Sequence, residues 1–142
     1  TYITSSYYGN LGYAYPTALG AKVAQPDKAV VAVCGDGGFM FNVQELATAA
    51  KHHINVVAVV FNDNAYGNVM RDQVNMFDGR EYGAEVHNPD FMKLAEAFGV
   101  RGVRVEGGAP ELGKAVQESL SIEAPTLIEV PVGPMPNPFR DY

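Results

Sequence analysis

A chain of 142 residues, 47% of them apolar, has the size of one ordinary domain and enough apolar side chains to bury a core. Its formal net charge of -6 excludes a binder of nucleic-acid backbones, which needs a lysine and arginine surface to displace counterions. The lone cysteine, Cys34, excludes an internal disulfide, and no apolar run approaches the roughly 20 residues of a membrane span, so a soluble protein of a reducing, cytoplasmic compartment is expected.

In chain order, Thr1 to Asn10 is a Gly/Tyr-rich, turn-like stretch that starts without a methionine, from which a piece of a longer protein is expected. Continuous Val/Ala/Ile runs at Ala29 to Cys34, Val56 to Phe61 and Thr126 to Val130 read as strands buried on both faces, the pattern of a parallel sheet. Between the first two lies Asn42 to His53, where Val43, Leu46, Ala47 and Ala50 recur at helical spacing, with Asn42 as the expected N-cap and Glu45 in the first turn. A charged connection, Arg71 to Tyr82, follows the second strand. A second amphipathic segment runs from Asn88-Pro89-Asp90 through Phe91, Leu94, Ala95 and Phe98 to a stop at Gly99, and Val100 to Val105 reads as another strand. Ala109 to Ser121, with Leu112, Val116 and Leu120 four apart, is the helix that returns the chain to the Thr126 strand. This alternation predicts one α/β domain over residues 1–142, with a doubly wound, mostly parallel sheet carrying helices on both faces. Its end, residues 131–142, carries four prolines and is expected to be irregular.

Ligands of open parallel sheets bind beyond the carboxyl ends of the strands, which singles out the segments after Cys34 and Phe61. The first is Gly35-Asp36-Gly37-Gly38, whose glycines permit positive φ and close backbone approach, with a helix expected just beyond. Such a cradle suits an anion, yet Asp36 would repel a phosphate unless a divalent cation lay between them. The second is Asn62-Asp63-Asn64-Ala65-Tyr66-Gly67, rich in oxygen ligands and 27 positions after the first, the length of one strand-helix-strand unit. Mg²⁺ takes about six oxygens, only one or two of them carboxylates. Asp36, one acid or amide of the second loop, a carbonyl, two phosphate oxygens and a water complete that set.

The run GDGGFMFNVQELATAAKHHINVVAVVFNDNAYG resembles the signature of thiamine-diphosphate-dependent enzymes, and TYITSSYYGNLGYAYPTALGAKVA is similar to the stretch before it in acetolactate-synthase-like and benzoylformate-decarboxylase-like members. The resemblance implies the C-terminal, diphosphate-binding domain of such an enzyme, with thiamine diphosphate and Mg²⁺ as cofactors. It implies Asp36 and Asp63 as Mg²⁺ ligands through side chains and Ala65 through its backbone oxygen. Asp63 stands where asparagine is commoner, which leaves Asn62 as the alternative ligand. The amides of Gly37, Gly38, Tyr66 and Gly67, with Gly35 in the same cradle, would contact the diphosphate. Leu11 would support the folded cofactor, and the Gly9 carbonyl would accept a hydrogen bond from its aminopyrimidine. The implied activity is decarboxylation of a 2-oxo acid and transfer of the resulting aldehyde unit, as in an acetolactate-synthase-like carboligase, with a simple decarboxylase as the alternative. The glutamate that activates the cofactor belongs to another domain, usually of a neighbouring subunit, and no stretch here resembles it. The remaining domains, a homo-oligomer and a 2-oxo acid are thus the implied partners, and the chain alone is expected to be inactive. Arg71 to Tyr82 resembles the helix and loop that close over the site in relatives.

Other readings of these residues are weaker. A dinucleotide fold needs the last glycine of GxGxxG, where Met40 stands in GDGGFM, and a Ca²⁺-binding EF-hand needs a bidentate glutamate where Gln73 or Val74 stands. A non-catalytic domain that keeps the fold remains a further alternative. His52 and His53 suit a helix end, where the dipole favours them, and Cys34 suits a buried strand. Tyr7, Tyr8, Tyr13 and Tyr15 are open to three roles: substrate pocket, interface or core.

Overall fold

The Val/Ala/Ile runs form strands because β-branched and small side chains pack on a pleated surface; the runs from Val57 and Thr126 are covered on both faces, whereas the first, expected to be so, buries only Ala32 and Cys34 and leaves Val31 and Val33 exposed. A computed structural model describes residues 1–5 and 7–133; within them β1 (Val31–Gly35), β2 (Val57–Asn62), β3 (Arg101–Arg104) and β4 (Thr126–Pro131) make one parallel sheet in the order β1-β2-β4-β3. Gly35 lies in register with Phe61, and Asn62 with Pro131, so the chain leaves β1 and β2 at neighbouring points of the same sheet end. The proline-rich end was expected to be irregular from residue 131, yet Pro131 closes β4; residues 134–142 lie outside the described residues.

Helices cover both faces, as the alternation predicts. On one face α1 (Ala14–Ala24), α2 (Asp36–Met40), α3 (Glu45–His52) and α5 (Phe91–Ala97) pack Tyr15, Leu19, Phe39, Leu46 and Phe91 against Ala32, Ala58, Val60 and Leu127. Tyr15, Phe39 and Phe91 form a row of ring contacts, with centroids 5.5 and 6.1 Å apart, which ties the first helix to the one before β3. On the other face, among the described residues, α6 (Ala109–Leu120) alone seats Ala115, Leu112 and Val116 over Val57, Val59, Ile128 and Val130. Leu120, expected in that stripe, is exposed, and Ser119 is buried in its turn, accepting a hydrogen bond from Arg101 at 2.8 Å. No helix among the described residues is long and apolar enough to cross a membrane.

Three local expectations change. α1 adds a helix where none was expected, after the turn-like stretch: Tyr15, Ala18 and Leu19 give it a buried stripe at helical spacing, and Pro16 is tolerated because it falls in the first turn. Asn42 does not cap α3, which starts at Glu45 without a side-chain cap; the Asn42 amide instead donates to the Gly12 carbonyl at 2.8 Å and anchors the N-terminal loop. The segment from Asn88 turns helical only at Phe91, because Asp90 is the cap, accepting from the amides of Met92 at 3.0 Å and Lys93 at 3.3 Å. The stop at Gly99 is as expected, with φ at +68°. Between β2 and α5, α4 (Gly67–Met76) buries no residue, and its Gln73 side chain clasps the Tyr82 backbone from both sides at 3.0 and 3.1 Å.

Candidate functional site

At the end of β1 the chain is extended through Gly35 and turns helical immediately, so α2 starts at Asp36 and not beyond the glycines. Gly35, Gly37 and Gly38 all avoid positive φ, and of the three only Gly37 must be small. A Cβ on Gly37 would stand 2.7 Å from the ring carbons of Tyr66, and one on Gly38 would stand 3.7 Å from Leu11 Cδ2. Asp36, Gly37 and Gly38 fall in the first turn, where backbone amides have no intrahelical acceptor, which leaves these N–H groups for an anion. Asp36 itself is only 2% exposed.

The loop after β2 is built from two overlapping turns in which an amide bonds back to a side chain two residues earlier: Asn64 N–H to Asn62 Oδ1 at 3.2 Å, and Ala65 N–H to Asp63 Oδ1 at 3.1 Å. Asn64 takes the left-handed conformation this path requires, with φ at +56°. The loop is sewn to the segment before α5 by Tyr66 N–H to Ala84 O at 2.7 Å and Val86 N–H to Asn64 O at 2.9 Å. The Tyr66 amide, expected to face a diphosphate, is therefore committed to Ala84, and Tyr66 reaches the cradle through its ring instead. Ala65 O lies 3.9 Å from the Cβ position of Gly37, beside the cradle. Gly67 opens α4, whose first-turn amides likewise have no acceptor within the helix.

Asn62 and Asp63 point to different neighbours. Asn62 donates through Nδ2 to Glu129 Oε1 at 2.8 Å, whose Oε2 accepts from Arg104 Nε at 2.8 Å. Glu129 is 3% exposed, and this bond raises the basicity of the Arg104 guanidinium, which also lies 3.6 Å from Asp90. The Asp63 carboxyl faces that of Asp36: burial, and then the Asp36 charge, hold it above the usual carboxylate range. Two carboxyls from adjacent strand ends, with the Ala65 carbonyl beside the cradle, fit a hard divalent cation, which would remove their repulsion. No group of three His, Cys, Asp or Glu side chains suited to a metal occurs among the described residues, so backbone and ligand oxygens would have to complete the set.

On the other side of the cradle, Gly9, Leu11, Cys34, Gly35 and Gly38 line a cleft of about 210 Å³. Leu11 is half exposed within it, and Gly9 has φ at +64°. Burial pushes the Cys34 thiol up to about 12, so it serves as a packing group. The four tyrosines divide: Tyr15 belongs to the core, Tyr7 and Tyr8 meet edge to face in solvent, and Tyr13 is partly exposed. His52 and His53 end α3 at the opposite end of the sheet. Two residues of the carboxyl end are new relative to the sequence reading. Glu129 is an acid in the middle of an apolar strand, a signal visible in TLIEV; Asn88 had no such mark, since it sits beside an expected helix start.

Comparison with known proteins agrees with this geometry. Residues 1–130 match the family described as "Thiamine pyrophosphate enzyme, C-terminal TPP binding domain". A probable acetolactate synthase large subunit of Methanococcus aeolicus is 37% identical over 139 residues, covering 94% of this chain and 22% of that protein. A sulfoacetaldehyde acetyltransferase of Castellaniella defragrans is 36% identical over 126 residues, covering 87% of this chain and 21% of that protein. Among solved structures, the thiamine diphosphate-dependent 4-hydroxybenzoylformate decarboxylase of Rhodococcus jostii RHA1 superposes with a TM-score of 0.80 at 37% identity, over 88% of this chain and 24% of that one. The chain thus spans about a fifth of the length of the curated relatives it matches. Its sequence, its parallel sheet and the two loops at the carboxyl end place this chain in the family of C-terminal thiamine pyrophosphate-binding domains of thiamine pyrophosphate enzymes.

Proposed function

We propose that this domain holds the diphosphate of thiamine diphosphate through Mg²⁺, as part of an acetolactate-synthase-like enzyme that decarboxylates a 2-oxo acid and transfers the aldehyde unit. The observation that carries this reading is the placement of two carboxyls, Asp36 and Asp63, directly after adjacent parallel strands paired in register. Like charges so placed are stable when a cation joins them. Asp36 and Asp63 would hold Mg²⁺ with the Ala65 carbonyl, and Asn62, whose Nδ2 donates to Glu129 and whose Oδ1 accepts from Asn64 N–H and Asn88 Nδ2, would position the loop. The amides of Gly37, Gly38 and Gly67 would bind the diphosphate oxygens, Gly35 would give them room, and the Tyr66 ring would close the cradle over Gly37. Gly9 and Leu11 would contact the rest of the cofactor in the adjoining cleft.

When bound, the thiazolium supplies the electron sink for loss of CO₂ from a 2-oxo acid. This chain's own part is binding and orientation: its carboxylates fix the ion, its amides fix the tail, and Leu11 limits how the rings can lie. The activating glutamate and much of the substrate pocket would come from other domains of a homo-oligomer working in the cytoplasm, so the chain alone would turn nothing over. The relatives named as acetolactate synthase favour a carboligase; the structural neighbour named as a decarboxylase keeps simple decarboxylation as the second reading. Calorimetric titration with thiamine diphosphate, with and without Mg²⁺, tests the binding role. Binding is expected to require Mg²⁺ and to vanish in Asp36→Ala; binding indifferent to the ion or to that substitution would sink the two-loop site.

A further inference from the structure

Asn88 has no place in the site described so far, yet three segments meet at its side chain. Its Nδ2 lies 2.5 Å from Asp36 Oδ2, 3.0 Å from Asn62 Oδ1 and 3.3 Å from Asn64 Oδ1. A carboxamide nitrogen carries two hydrogens, so three acceptors around it are one more than they can each serve singly. Oxygens converging on one positively polarised centre are what a hard cation seeks. The side chain is also held there from both directions. Downstream, Pro89 restricts the backbone, Asp90 caps α5 and reaches Arg104 at 3.6 Å, and Phe91 is fully buried. Upstream, Val86 and Ala84 are bonded to the second loop.

The geometry points to Asn88 as a built-in stand-in for the divalent cation: its carboxamide and the ion are alternative partners of Asp36, and the ion must take that carboxylate from it. This rests on the reading of Asp36 and Asp63 as the cation's carboxylates, and it adds a competitor carried by the chain itself. Asn88 is then a positioning residue. It gathers oxygens from the ends of β1 and β2 into register, and it sets cation affinity below what the two carboxylates alone would give. The bond it gives up is its charge-assisted one, to Asp36; those to the Asn62 and Asn64 amide oxygens involve neutral partners. Occupancy of the site is thereby coupled to the segment 84–88.

Mn²⁺ added alone, with free ion followed by electron paramagnetic resonance, reads this competition without cofactor or turnover. Asn88→Ala is expected to bind Mn²⁺ about tenfold more tightly, the equivalent of one charge-assisted hydrogen bond no longer surrendered. Asn88→Lys, which tethers an ammonium among the same oxygens, is expected to bind it at least about tenfold more weakly. Circular dichroism melts establish that each variant is folded; if Asn88→Ala is not, Asn88→Lys carries the test. Unchanged or weakened binding in folded Asn88→Ala, or wild-type binding in Asn88→Lys, overturns the role of Asn88. Asp36→Ala separates the two claims: Mn²⁺ binding that survives it overturns the metal site itself, whereas binding lost there but indifferent to residue 88 overturns only the stand-in. No Mn²⁺ uptake by wild type and Asn88→Ala alike overturns both.

Discussion

The two ends of this sheet each carry a concavity, and the larger one is poorer in chemistry. At the amino ends a groove of about 620 Å³ runs past Lys22, Lys28, His52, His53 and Asn55. Two of its residues serve local structure: Lys22 Nζ donates to the carbonyls of Pro26 and Lys28 at 2.7 and 2.8 Å, and the His53 backbone forms the left-handed C-cap of α3. The buried Asn55 Oδ1 has no hydrogen-bond partner among the described residues. At the carboxyl ends the cleft is only about 210 Å³, but beside it stand two facing carboxyls, unspent helix amides and a buried acid that orients a loop amide. Volume measures how much space the packing left over, whereas function follows the convergence of polar groups that the fold has not already used. Parallel strands bring that about at one end only, because every strand delivers its following loop there.

Substitutions at the two ends should therefore separate stability from binding. The largest effect is expected for Glu129→Ala, which removes a buried acid and leaves the Asn62 amide without its acceptor. A loss of about 2–4 kcal/mol in urea unfolding is expected, together with weakened Mg²⁺-dependent cofactor binding. A stability loss with binding unchanged would mean that Glu129 supports the sheet but not the loop. Gly37→Ala comes next: its methyl group meets the Tyr66 ring at 2.7 Å, so the ring must move. A cost of about 1–3 kcal/mol and weaker thiamine diphosphate binding in calorimetry are expected, and cofactor affinity equal to wild type would remove Tyr66 from the cradle. The smallest effect is a gain at the opposite end. His53 has φ at +51°, so His53→Gly should add about 0.5–1 kcal/mol to thermal stability and leave cofactor binding unchanged. A change in binding there would break the separation between the two ends.

How far the sequence can be read differs between these regions for a physical reason. Strand positions, the α5 and α6 helices and the stop at Gly99 were legible because periodicity and glycine placement are local signals. The helix at Ala14–Ala24 was not, since its stripe is short and its flank is rich in Gly and Tyr. The Gly-Asp-Gly loop and the Asn-Asp-Asn loop were legible as a pair because their separation matches one crossover unit. The sequence by itself thus determined an α/β domain, the two loops and the carboxylates that qualify for a cation. Only the tertiary structure decided which way each amide turns. Asn62 faces Glu129 from 67 positions away, Asn88 reaches Asp36 across 52, and Tyr66 spends its amide on Ala84. Hydrogen bonds are short-ranged and directional, so partners far apart in the chain become definite only when packing has set the strands in register.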